Sequence, residues 1–176
     1  MNLLKKIATS FALFTFSTSM AFGQASNPKQ IGDWIYADTT DAMSDRHGGI
    51  AMTVDSVSNA VLSVACRISM KENPILFILK YPKSQRVYEK YIRIYLRPDD
   101  GEVASMQWYS NPEEAMIYSG PDMRKFYKTI ASAKIVKVRV MRENESYFDF
   151  DLKIDQAKEA IDRVYSECGR KPLLAP

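Results

Sequence analysis

Residues 134–141 read KIVKVRVM, with Val136, Val138 and Val140 on one side of an extended chain and Lys137 and Arg139 on the other. Branched apolar residues at a period of two mark a strand with one buried and one wet side. The same alternation predicts strands over 32–38, 49–55, 61–68, 75–80, 91–97, 103–109, 115–118, 134–142 and 147–152. Breakers lie between them: His47-Gly48-Gly49, Asn73-Pro74, Tyr81-Pro82, Pro98-Asp99-Asp100-Gly101, Asn111-Pro112 and Ser119-Gly120-Pro121. Connections this short favour antiparallel neighbours over parallel crossovers. The expected fold is mainly β (α+β), an antiparallel meander, sandwich or barrel-like, with two helices.

The first helix opens at Pro121, with Asp122 adding acid to its first turn, and continues MRKFYKTIASA. The second takes Asp155 as its N-cap, runs QAKEAIDRVYSEC and stops at Gly169. Its Ala157, Ala160, Ile161, Val164 and Cys168 fall on one apolar stripe. In the strand VLSVACRI, Leu62, Val64, Cys66 and Ile68 share the inward face. Both cysteines of the chain therefore point at the core, with no third to compete, and a Cys66–Cys168 disulfide is expected to fasten the last helix to the sheet.

The chain opens MNLLKKIATSFALFTFSTSMAFGQASNP, a pair of lysines, an apolar run over 7–16 and a small-x-small site, which is the layout of a secretory leader. Cleavage after Gly23 or after Ala25 suits it, with Ala25 favoured. The domains read as a signal peptide, 1–25, and one secreted β-rich domain, 26–176. No later stretch is apolar enough to span a bilayer, so the product is expected to be soluble, in the periplasm or beyond it. Removing Lys5 and Lys6 leaves 22 Lys+Arg against 21 Asp+Glu, so the formal charge falls from +3 to +1. That near-neutrality argues against a nucleic-acid partner. The charge is blocky all the same. Residues 67–97 and 123–142 are basic, while 98–122 and 143–168 are acidic. Opposite blocks facing one another across adjacent strands would account for this.

A catalytic centre finds few members. The single histidine, His47, lies near Asp38, Asp41 and Asp45 but lacks the ligand spacing of an EF-hand or an HExxH site, and reads as a polar turn before two glycines. No serine sits in GxSxG or SxxK, and no glycine loop is built to cradle phosphate. Neither metal nor cofactor is expected, and the reading is non-enzymatic. Trp34 and Trp108, among apolar neighbours, read as core. The candidate surface is YEKYIRIYLRPDD, where Tyr91, Arg93, Tyr95 and Arg97 share one strand face opposite Ile92, Ile94 and Leu96. A Tyr/Arg face suits a protein contact, or stacking on bases or sugars.

The order of these features resembles the periplasmic VasI/TagO-like family associated with the type VI secretion system. The likeness rests on Trp34, the D-x-M-x-D segment Asp41-Ala42-Met43-Ser44-Asp45, and the L-x-V-x-C strand ending at Cys66. It continues through Arg97-Pro98-Asp99, Trp108, the basic strand over 136–140, Phe150-Asp151-Leu152 and the helix from Ala157 to Cys168. Ile154-Asp155 stands where the family pattern has a glycine. The resemblance implies an accessory protein whose partners are other envelope or secretion-system proteins, and carries no catalytic residues. Two further readings remain open: a periplasmic inhibitor or immunity-type protein that blocks a hydrolase or effector, and a binder of glycans or polyanions.

Overall fold

The computed structural model describes residues 24–40, 44, 46–67, 75–118 and 120–173. Residues 1–23, Ile68, and Asp41 and Asp45 of the D-x-M-x-D segment lie outside the described residues. The strands are β1 (Gln24–Ile31), β2 (Trp34–Thr40), β3 (His47–Val54), β4 (Val61–Cys66), β5 (Ile75–Lys80), β6 (Tyr91–Pro98), β7 (Ala104–Ser110), β8 (Glu114–Ile117), β9 (Ile135–Met141) and β10 (Tyr147–Lys153). The helices are α1 (Gly120–Ile130) and α2 (Ala157–Glu167).

All ten strands form one antiparallel sheet in the order β1-β2-β3-β4-β5-β8-β7-β6-β9-β10. Both ends follow chain order, as a meander does. The middle does not, because β6, β7 and β8 are inserted in reverse, pairing β5 with β8 and β6 with β9. The sheet also curls. Thr53 Oγ1 on β3 donates to the Lys153 carbonyl at the end of β10 over 2.7 Å, and Trp34 Nε1 donates to the Ile154 carbonyl at 3.3 Å, although β3 and β10 are seven places apart in the sheet. Of the sandwich and the barrel, the structure is nearer the barrel, left open because β10 pairs only with β9.

The concave side is the core. Leu62, Leu79, Leu96, Trp108, Phe126 and Leu152, drawn from five strands and α1, surround one small internal space. Trp34 and Trp108 are buried there, as their neighbours in sequence implied. Phe126 of α1 packs edge-on against Phe77 (5.1 Å between centroids) and Trp108 (4.9 Å), filling the gap that opens where the four-residue β8 ends. On α2, Ala157, Ala160, Ile161 and Val164 are buried as the stripe predicts, and Tyr165 joins them, stacked 6.5 Å from Tyr127 of α1. The Tyr127 hydroxyl donates to Asp162, and burial together with that carboxylate pushes the phenol far above its ordinary pKa. Cys66 and Cys168 form the expected disulfide, with Cα atoms 5.7 Å apart and a sequence separation of 102.

Three expectations are corrected. β1 was not foreseen, since QASNPKQI is polar and holds a proline. It survives as an edge strand in which the register slips between Ser26 and Lys29, on either side of Pro28. A cut after Ala25 would fall inside β1, whereas one after Gly23 would leave it whole. His47, Gly48 and Gly49, read as a turn, begin β3, where a Cβ on Gly49 would stand 2.9 Å from the Tyr36 hydroxyl. Asp155 is not the N-cap of α2. That place falls to Gln156, whose side chain makes no capping bond, while the Asp155 N–H donates to Asp33 Oδ2 at 2.9 Å.

Candidate binding face on the convex side of the sheet

β6 alternates strictly, with Ile92, Ile94 and Leu96 buried and Tyr91, Arg93 and Arg97 exposed, Tyr95 being half-buried. The reason is local. Ile and Leu at every second position meet the core, so the residues between them must face outward. All four expected site residues therefore stand together on the convex face.

Register decides what surrounds them. Tyr91 lies opposite Tyr109 of β7, their rings edge to face at 6.0 Å, and Arg93 and Tyr95 lie opposite Gln107 and Ser105. On the other flank Arg93, Tyr95 and Arg97 lie opposite Met141, Arg139 and Lys137 of β9, and these in turn opposite Tyr147, Asp149 and Asp151 of β10. Tyr91, Tyr109 and Tyr147 expose 51%, 39% and 53% of their surface, which puts three phenols within reach of a partner.

The charges are unevenly answered. Arg139 is engaged twice over: its Nε and Nη2 donate to the two carboxylate oxygens of Asp149 at 2.8 and 2.7 Å, and its guanidinium lies 4.0 Å from the Tyr147 centroid. The Asp149 bonds hold that guanidinium above its usual pKa. So acidic β10 does answer basic β9, as the charge blocks suggested. Yet basic β6 also adjoins basic β9, and Arg97 stands directly opposite Lys137. Among the described residues Arg93, Arg97 and Lys137 make no ion pair. Like charges placed opposite one another on a sheet destabilise it.

Two other sequence features prove structural. The Arg97-Pro98-Asp99 turn carries Asp99 at φ +43, and its carboxylate accepts the N–H of Lys134 (3.2 Å) and Ile135 (2.9 Å), tying the start of β9 to the end of β6. His47 Nδ1 meets Thr40 Oγ1 at 3.2 Å on the exposed end of the β2–β3 pair, and the Asp38 carboxylate accepts the Tyr36 hydroxyl at 2.7 Å. Among the described residues no cluster of three or more His, Cys, Asp or Glu side chains could hold a metal. A groove of about 400 Å³ lies between the β3–β4 turn, the 82–85 segment and β10, lined by Val57, Ser58, Lys83, Gln85, Phe148 and Asp149.

Sequence reasoning found the four residues of β6 but not Tyr109, Lys137 and Tyr147. Lys137 was visible as a wet-face residue of KIVKVRVM. What the alternation could not supply was that β9, 37 residues beyond β6, would lie beside it. No helix among the described residues is long and apolar enough to cross a membrane. Comparison with protein-family models, with curated proteins and with solved structures yields no match.

Proposed function

We propose that this chain is an exported, non-enzymatic envelope protein that works by binding other proteins, using the convex face of β6. The observation that carries the reading is the exposure of Tyr91, Arg93 and Arg97 beside Tyr95, on a face widened by Tyr109 and Lys137. Tyrosine and arginine are enriched among the residues that dominate binding at protein contacts, tyrosine for its large area on two torsions and arginine for its several donors. The leader-like start and the disulfide support a periplasmic location, since such bonds persist in oxidising compartments. The order of sequence features supports a role as an accessory of a type VI secretion assembly.

Affinity capture from envelope extract with the tagged protein, at low and at moderate salt, tests this. Secretion or other envelope components retained by the wild type and lost with Tyr95→Ala or Arg93→Ala are expected. Retention of a single hydrolase that is inhibited stoichiometrically would move the protein to the inhibitor class. Turnover of a cell-wall, peptide or phosphoester substrate, abolished by one polar substitution, would refute binding as its function.

A further inference from the structure

We infer that the convex face receives an acidic, extended segment of a partner protein, laid along β6 and β9 with carboxylates on Arg93 and on the Arg97–Lys137 pair and an apolar or aromatic residue over Tyr95. This rests on the reading of that face as the contact surface. Arg93 and Arg97 are four residues apart on one strand, roughly 13 Å at the rise of an extended chain. Tyr95 lies between them on the same face, and Lys137 stands opposite Arg97. These three cations have no ion pair among the described residues, and Arg97 and Lys137 are juxtaposed, a repulsion that Asp151 opposite Lys137 answers on one side only. A partner that brings carboxylates relieves that repulsion on binding.

The borders of the patch set the width of what fits. On one flank β7 presents uncharged Gln107 and Ser105, and on the other β10 presents Asp149 and Asp151. A flat anionic surface that reached Arg93 and Arg97 would also meet those two aspartates, and a broad polyanion would be repelled along the same line. A narrow acidic strand laid along β6 meets Arg93, Arg97 and Lys137 before it reaches those aspartates, one of which is already held by Arg139. Such a segment stacks on Tyr95 and is flanked at its Arg93 end by Tyr91 and Tyr147, both half exposed.

The test is fluorescence anisotropy of the purified, disulfide-bonded protein with a labelled peptide of core Glu-Ser-Tyr-Ser-Glu, against the same peptide with both glutamates replaced by lysine. Sedimentation with phosphatidylglycerol-containing vesicles runs beside it. The acidic peptide alone is expected to bind, less tightly as salt rises. Arg93→Glu or Arg97→Glu should weaken it about tenfold or more by setting like charges against the ligand, while Arg93→Lys should retain it. Both arginines are exposed, so the fold is expected to survive, which the thermal transition checks; Arg97→Gln serves where a reversal does not fold. The wild type should not sediment with the vesicles, and Asp149→Asn with Asp151→Asn should make it do so. Absence of peptide binding, or binding indifferent to every arginine variant, overturns the inference. Vesicle binding by the wild type that the reversals abolish also overturns it and assigns the face to a membrane. If envelope capture depends on Tyr95 but the peptide does not bind, the contact surface stands and the acidic segment fails; if neither depends on this face, both fail.

Discussion

At the scale of single residues, two left-handed positions meet where the β1–β2 turn docks on the β10–α2 junction. Gly32 has φ +54, and a Cβ built there would stand 2.3 Å from the Asp155 carbonyl oxygen. The contact is that tight because Asp33 N–H donates to the Asp155 carbonyl, Asp155 N–H returns the bond to Asp33, and Trp34 Nε1 takes the Ile154 carbonyl. Gln156 has φ +61 with its side chain exposed. The two substitutions should therefore have opposite signs. Gly32→Ala combines backbone strain with overpacking and should lower stability by about 2–4 kcal/mol. Gln156→Gly relieves the left-handed strain against the entropy of an added glycine and should raise stability by about 0.5–1 kcal/mol. Urea titration of the two variants beside the wild type measures both.

Asp55 offers a pH test at the same scale. Partial burial favours its neutral form, but the Ser58 hydroxyl (2.5 Å) and the N–H groups of Ser58 and Val57 donate to its carboxylate and outweigh that, leaving its pKa below the ordinary value. A depressed folded pKa contributes stability that is present above the unfolded value, about 4, and is lost as pH falls through the folded one. Asp55→Asn should thus lose stability at pH 7 and lose less than the wild type between pH 5 and pH 2. Melting temperatures across that range decide the point, and parallel curves for the two proteins would remove Asp55 from the acid limb.

At the scale of elements, α1 guards an edge. β8 pairs with β7 only at Tyr109 and Ser110, so the outward N–H of Gln107 and carbonyl of Ser105 have no strand beside them. Asp122 accepts from Gln107 N–H at 3.2 Å and Lys125 donates to the Ser105 carbonyl at 3.0 Å, so two helix side chains stand in for a ladder. Uncovered edges invite pairing with other chains. Asp122→Ala with Lys125→Ala should lower stability by about 1–2 kcal/mol and shift sedimentation toward oligomers as concentration rises. A variant that stays monomeric with unchanged stability would show that packing of Phe126 alone keeps the edge covered.

At the scale of the whole molecule, the disulfide joins β4, fourth of the ten strands in the sheet, to the end of the helix that follows its last strand. Cross-linking across so long a span removes freedom chiefly from the unfolded chain. Replacing both cysteines by alanine should cost about 2–5 kcal/mol, read from the denaturation midpoint, with α2 the first element to lose amide-exchange protection. Equal protection of α2 and β9 in that variant would mean that the apolar stripe of α2 holds it without the bond. The Thr53 and Trp34 bonds to the β10 end close the curl at one end, which is why loss of α2 is expected to loosen β2 and β3 rather than the β6 face.

The faces of the strands were legible in the amino-acid sequence, because a period of two is a local property that burial on one side imposes residue by residue. Val136, Ile94 and Leu62 could be set inward, and Arg93 and Tyr95 outward, without knowing any neighbour. The cysteine pairing was legible for a similar reason, since Cys66 and Cys168 each lie on an apolar face and no other thiol exists. β1 was not, because an edge strand needs no apolar alternation when one of its sides and one of its edges are open. Nor was the strand order, because alternation says which side a strand buries but not which strand it meets. Only the curled sheet, with α1 seated past the end of the short β8, brings β9 against β6, and with it Lys137 against Arg97 and the Asp149–Asp151 border beyond. The surface residues of β6 therefore came from the sequence, while the charge of the face, its width and its fit to an acidic strand came from non-local pairing that the curl and the packing of the core selected.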